Sequence, residues 1–176
     1  MLYVLAFVVL LLAAAMVALF AMLGELYTRV GGAPPTTDSL PEANVGQRPD
    51  AWPPELARLA TAGDAALLVL STACVSCNRV AEQLREAPDP LPGYVTGVAL
   101  STADDERAET FMRQYGLSGD AVYVDLGGDW VTKTFGVQTS PSALLLRDGQ
   151  LVSAVLFTDI AALQSAAADK TSKEAL

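Results

Sequence analysis

Hydrophobic and polar positions divide the chain into three regions. Residues 1–23 carry no charged side chain, residues 31–54 are punctuated by proline and glycine, and from residue 66 onward short apolar runs alternate with stretches of helical period. The run Ala66-Leu67-Leu68-Val69-Leu70 is continuously apolar and short, which predicts a strand covered on both faces. Past Cys74 the period changes. Cys77, Val80, Ala81, Leu84 and Ala87 fall on one helical face, while Arg79, Glu82, Gln83, Arg85 and Glu86 fall elsewhere, and Pro88 stops the helix.

The rest of the third region alternates in the same way. Residues 94–100 predict a second strand. Asp104 opens a helix with Ala108, Phe111, Met112 and Tyr115 at i, i+3, i+4 and i+7, and Gly116 lies past its end. Residues 121–124 predict a third strand, and residues 129–135 a short helix ending at Gly136. Residues 143–146 and 151–156 flank Arg147-Asp148-Gly149-Gln150, and Asp-Gly between two apolar runs is a hairpin signal. A last helix starts near Thr158 with Ile160, Leu163 and Ala167 inward, and a short one earlier puts Leu56, Leu59 and Ala60 inward and ends near Gly63. Strands alternating with helices and closed by a hairpin predict an α/β fold, a mixed central sheet with helices on both faces.

The first region predicts a membrane span. Twenty-three helical residues reach about 34 Å, enough for a hydrocarbon core of about 30 Å. A cleaved secretory signal has a basic start, a shorter apolar stretch and a small-x-small site. This start lacks Lys and Arg, and no cysteine follows the stretch to take a lipid. Residues 1–24 are therefore expected to be an uncleaved single-pass anchor. The charges after it are Glu25, Arg29 and later Arg48, which taken alone favour the C-terminal part on the cytoplasmic side. Six of the ten prolines fall within residues 31–54, so residues 25–54 are expected to be a juxtamembrane segment and partly extended spacer. The folded domain is expected over residues 55–168, with a C-terminal tail at 169–176.

Composition narrows the function. The chain has 176 residues with 11 basic and 20 acidic side chains, a formal charge of −9, which argues against nucleic acid as a partner. It has two cysteines, Cys74 and Cys77, and no histidine. A zinc site needs two further Cys or His ligands that the chain does not contain, so no metal and no cofactor is expected. A structural disulfide here would close a loop of about four residues, worth only about 2 kcal/mol on the entropy model. Two unrelated core cysteines are the remaining plain reading. A spacing of three puts both thiols on one side of the first helical turn, with Cys74 at the exposed end and Cys77 on the packed side. Free N–H groups and the dipole at a helix start favour a thiolate, which is the nucleophile in thiol–disulfide exchange. Cys74 is the candidate attacker and Cys77 the candidate resolving thiol.

This order of elements, with the cysteine pair after the first buried strand and Ser140-Pro141 just before the hairpin, resembles the thioredoxin family. The stretch from Phe135-Gly136-Val137 through Ser140-Pro141 to Asp148-Gly149-Gln150 is similar to that family's Gly-Val-x-x-x-Pro strand-and-hairpin signature. An anchor followed by such a domain resembles the membrane-tethered TlpA-like and MauD-like redoxins. The resemblance implies a thioredoxin-like fold over about residues 46–168, a cis Pro141 beside the cysteines, and thiol–disulfide oxidoreductase activity. It implies that Ser140 and Pro141, with Val75 and Ser76 between the cysteines, face a protein thiol or disulfide substrate. It further implies a domain outside the cytoplasmic membrane, served by a membrane or extracytoplasmic thiol carrier. The sequence departs from the pattern in three places. Val75-Ser76 replaces Gly-Pro, Ala73 replaces an aromatic residue, and Leu68 stands where thioredoxin has the buried acid that helps deprotonate its resolving thiol. The missing acid gives a second expectation, a non-catalytic thioredoxin-like module that binds or scaffolds a partner in an extracytoplasmic assembly or maturation pathway.

Overall fold

A computed structural model describes residues 37–174 except 88 and 118–120, together with Met16, and side chains as far as residue 168. Among the described residues six strands form one sheet: β1 (Asp38–Ser39), β2 (Asp64–Ser71), β3 (Val95–Thr102), β4 (Val122–Leu126), β5 (Ser142–Arg147) and β6 (Gln150–Leu156), in the order β1-β6-β5-β2-β3-β4. The pairs β2–β3 and β3–β4 are parallel, and β2–β5, β5–β6 and β1–β6 are antiparallel. The helices are a 3₁₀ helix (Pro54–Ala60), α1 (Val75–Glu86), α2 (Asp105–Tyr115), α3 (Asp129–Phe135) and α4 (Ile160–Glu174).

The alternation of side chains along each strand sends residues to two cores. Ala66, Leu68, Leu70, Val98, Leu100, Ala143 and Leu145 pack with Cys77, Val80 and Ala81 of α1, Phe111 of α2 and Leu163 of α4. Ala65, Leu67, Val69, Ala99, Leu144 and Leu146 face the opposite way, against Leu56 and Leu59 of the 3₁₀ helix and Val131 and Phe135 of α3. β2 is central and continuously apolar because both of its faces are covered. The hairpin turn has Asp148 at φ 49° and Gly149 at φ 75°, the left-handed pair that a two-residue connection requires.

Two expectations about boundaries need correction. The spacer expected over residues 25–54 does not extend to 54 as a loose segment. Asp38 and Ser39 pair with Leu156 and Val155, Leu40 is buried, and Gly46 N–H donates to the Leu151 carbonyl. Trp52 packs against Trp130 and Phe135 with its ring tilted to both. The reason is the edge of β6, whose backbone groups this segment satisfies while Leu40 and Trp52 close the second core. The tail expected from 169 is instead the continuation of α4 to Glu174, since the run after Ala166 has neither Gly nor Pro to stop it. Among the described residues no helix is long and apolar enough to cross a membrane, and the span expected over 1–24 lies outside them.

Candidate active site

The site forms where β2 ends. Ser71 is its last residue, and the chain turns there into α1: the Cys74 N–H donates to the Ser71 carbonyl at 3.2 Å, and the Ala73 N–H donates to Ser71 Oγ at 3.3 Å. Cys74 is the N-cap of α1, with φ −102° and ψ 117°. Its Sγ accepts the Cys77 N–H at 3.3 Å, the contact a Ser or Asp makes in the ordinary cap. Sulfur charge at this position meets a backbone donor and the positive end of the helix. The Cys74 thiol also donates to the Ser140 carbonyl at 3.5 Å. Neither cysteine is in a disulfide in this structure.

The two thiols differ in surroundings. Cys74 is partly exposed, and Cys77 is fully buried among Leu68, Val80 and Ala81. Burial, reinforced by the hydrogen bond with Cys74, pushes the Cys77 thiol up to about 12. The Ser140–Pro141 peptide bond is cis, Pro141 is buried, and Ser140 is half-buried. Val75 is 84% exposed and Ser76 is exposed, so the dipeptide between the cysteines faces solvent beside the nucleophile. Leu68 is fully buried in the same core as Cys77, which fills with carbon the place where the resemblance puts a carboxyl group.

Sequence reasoning missed several residues of this region. Ser71 fixes the turn through both its carbonyl and its hydroxyl. Thr72 Oγ1 donates to Thr102 Oγ1 at 3.2 Å, and Thr102 Oγ1 donates to the Asp104 carbonyl at 2.9 Å, tying the turn to the end of β3. Asp125 is buried, and its two oxygens accept the Trp130 and Val131 N–H groups at 2.9 and 3.0 Å, seating α3 beside the Ser140 segment. Hydroxyl residues at the ends of consecutive strands were the available signal. Ser142, next to the cis proline, is buried, and its Oγ has no partner among the described residues. Among the described residues no three His, Cys, Asp or Glu side chains converge as metal ligands.

No protein-family model and no curated protein matches this sequence. Solved structures do. A candidate protein disulfide isomerase from Bacteroides thetaiotaomicron aligns over 76% of this chain and 92% of its own, with 14% identity and a TM-score of 0.53. The thioredoxin domain of a thiol-disulfide oxidoreductase from Bacteroides vulgatus covers 62% of this chain and 80% of its own, with 11% identity and a TM-score of 0.48. A secreted Mycobacterium tuberculosis disulfide oxidoreductase homologous to E. coli DsbE covers 57% and 72%, with 23% identity and a TM-score of 0.43. At these identities the likeness is one of fold. The chain has a thioredoxin-like α/β fold, with its cysteine pair at the strand–helix junction.

Proposed function

We propose that this chain is a thiol–disulfide oxidoreductase, tethered to a membrane by residues 1–24, that exchanges disulfides with protein substrates outside the cytoplasm. One observation carries the reading. Cys74 Sγ sits at the tip of α1, under the Cys77 N–H and beside the Ser140 carbonyl, with the second thiol buried one turn along. Access favours Cys74 as attacker, since Cys77 is buried and its thiol is pushed up by that burial. Its thiolate forms a bond to one sulfur of a partner disulfide, and the other partner sulfur leaves as a thiolate. Cys77, once deprotonated, attacks Cys74 Sγ and the partner leaves as a second thiol. The partner has gained two electrons and the Cys74–Cys77 pair has lost them, so a thiol carrier must restore the dithiol. The same steps in reverse oxidise a partner. Ser140 and Pro141 receive the partner's backbone, and Val75 and Ser76 flank it. The tether rests on the uncharged stretch 1–23, and the extracytoplasmic placement on the resemblance to tethered redoxins.

The test is single-turnover exchange between the reduced full-length chain and a protein disulfide. Exchange that disappears in Cys74→Ser supports the reading. Partner binding that survives without any exchange replaces it with the scaffold reading. For the placement, a membrane-impermeant thiol reagent should label Cys74 in intact cells, and labelling only after lysis reverses the orientation.

A further inference from the structure

We propose that a polar cleft beside the cysteine pair reads one residue of the partner, a neutral hydrogen-bonding side chain (amide or hydroxyl) next to the partner's cysteine. This rests on the disulfide-exchange reading and deepens it. The cleft encloses about 360 Å³ between α3, the ends of β2 and β3, and the segment leading to Pro141. It borders the reacting sulfur through two shared residues. Ser140 lines it and holds Cys74 Sγ by its carbonyl, and Ser71 lines it and fixes the Cys74 N–H. A polypeptide bonded to Cys74 and lying along Ser140 therefore brings a flanking side chain to the mouth of this cleft.

Its chemistry selects what enters. Val69, Val131 and Val137 form an apolar floor, and Ser71, Ser101, Thr132, Gln138 and Ser140 supply polar groups around it. The Ser101 and Ser140 hydroxyls and the Gln138 amide have no hydrogen-bond partner among the described residues, so donors and acceptors are both on offer. The one charged lining residue, Asp129, is already paired with Lys133 at 2.6 Å. A neutral group that both donates and accepts matches this set, and an aliphatic group of the same size would leave it unpaired. The cleft is open because Gly128, at φ 72°, lacks a side chain: a Cβ there would stand 2.9 Å from Ser101 Oγ.

The experiment uses the reduced full-length chain and symmetric peptide disulfides that differ in one residue beside the cysteine, Asn against the near-isosteric Leu, on each side in turn. Attack by Cys74 and resolution by Cys77 give two peptide thiols and the oxidised chain, followed by mass spectrometry. An Asn-over-Leu rate ratio of about fivefold is expected on one side, the size of one net hydrogen bond. Gln138→Leu, at an exposed position, and Ser101→Ala should each bring that ratio toward one. Equal rates for Asn and Leu peptides on both sides overturn the inference while leaving exchange intact, as does a ratio unchanged in both variants. Failure to exchange with every peptide overturns the oxidoreductase reading itself, and this inference with it.

Discussion

Cys74 Sγ lies 3.5 Å from the carbonyl oxygen of Ser140, a residue 66 positions later in the chain. Strand pairing produces that meeting. β2 runs to Ser71 just before the cysteines, and β5 starts at Ser142 just after the proline. The antiparallel register sets Val69 opposite Ser142. Because β2 and β5 pair antiparallel along their length, the end of β2 and the start of β5 lie at the same end of the sheet, and the two loops there converge on one spot.

That geometry divides labour between the thiols. Replacing Cys77 with Ser should leave attack by Cys74 intact and block resolution, so covalent partner complexes should accumulate and dissolve on adding reductant. Replacing Cys74 should abolish them. Non-reducing electrophoresis of both variants in cells decides the matter, and trapping by the Cys74 variant at the level of the Cys77 variant would reverse the assignment.

The central part of this arrangement was legible in the sequence. A continuous apolar run can be read as a doubly covered strand, and the switch of period after Cys74 marked the helix whose face buries Cys77, Val80 and Ala81. Asp104 and Gly116 announced the ends of α2, as cap and left-handed stop. β1 was not legible, because two residues carry no periodicity and the surrounding prolines read as a spacer; only its pairing with β6 gives it structure. The Asp125 seat and the cleft beside Ser140 were hidden for a related reason. They join groups that are distant in sequence, and an isolated Asp or Ser on a strand end looks like ordinary turn chemistry.

Asp125 carries a prediction for stability. It is 2% exposed and holds two N–H groups in the first turn of α3. Asp125→Ala leaves both donors unpaired and should cost about 3 kcal/mol in urea denaturation. Asp125→Asn keeps one accepting oxygen and should cost less. Equal and small losses for both would show that α3 does not depend on this seat.

Gly149 should be as sensitive for a different cause. Its φ is 75°, and a Cβ there would stand 2.6 Å from the Ala60 carbonyl oxygen, a backbone atom that cannot swing aside. Gly149→Ala combines left-handed strain of about 1–2 kcal/mol with overpacking of about 1–3 kcal/mol. A loss of about 3 kcal/mol in thermal or urea unfolding is expected. A loss under about 0.5 kcal/mol would mean that the end of the 3₁₀ helix is not held against the hairpin.

The buried thiol makes the reduced protein sensitive to alkali. Burial, with the Cys74 hydrogen bond, holds the Cys77 thiol at about 12 in the folded dithiol form, against 9.0 for the free group. A group whose folded value is raised contributes stability that is fully present below its unfolded value. That stability is lost as pH rises toward the folded value, because the unfolded chain then releases a proton the folded chain retains. The window is therefore from about pH 9 to about 12, and within it the loss approaches about 1.4 kcal/mol per pH unit. Tyr123, which burial also pushes up, and Lys133, which its bond to Asp129 pushes up, titrate alike in a protein without Cys77 and cancel in a comparison. Urea unfolding of reduced wild type and reduced Cys77→Ala at pH 7, 8 and 10.5 should give a nearly constant difference between the first two points, both of which lie below the free thiol's value of 9.0. At the third, wild type should fall further than the variant. Parallel curves to pH 10.5 would show that the second thiol is not sheltered, and the division of labour between Cys74 and Cys77 would lose its physical basis.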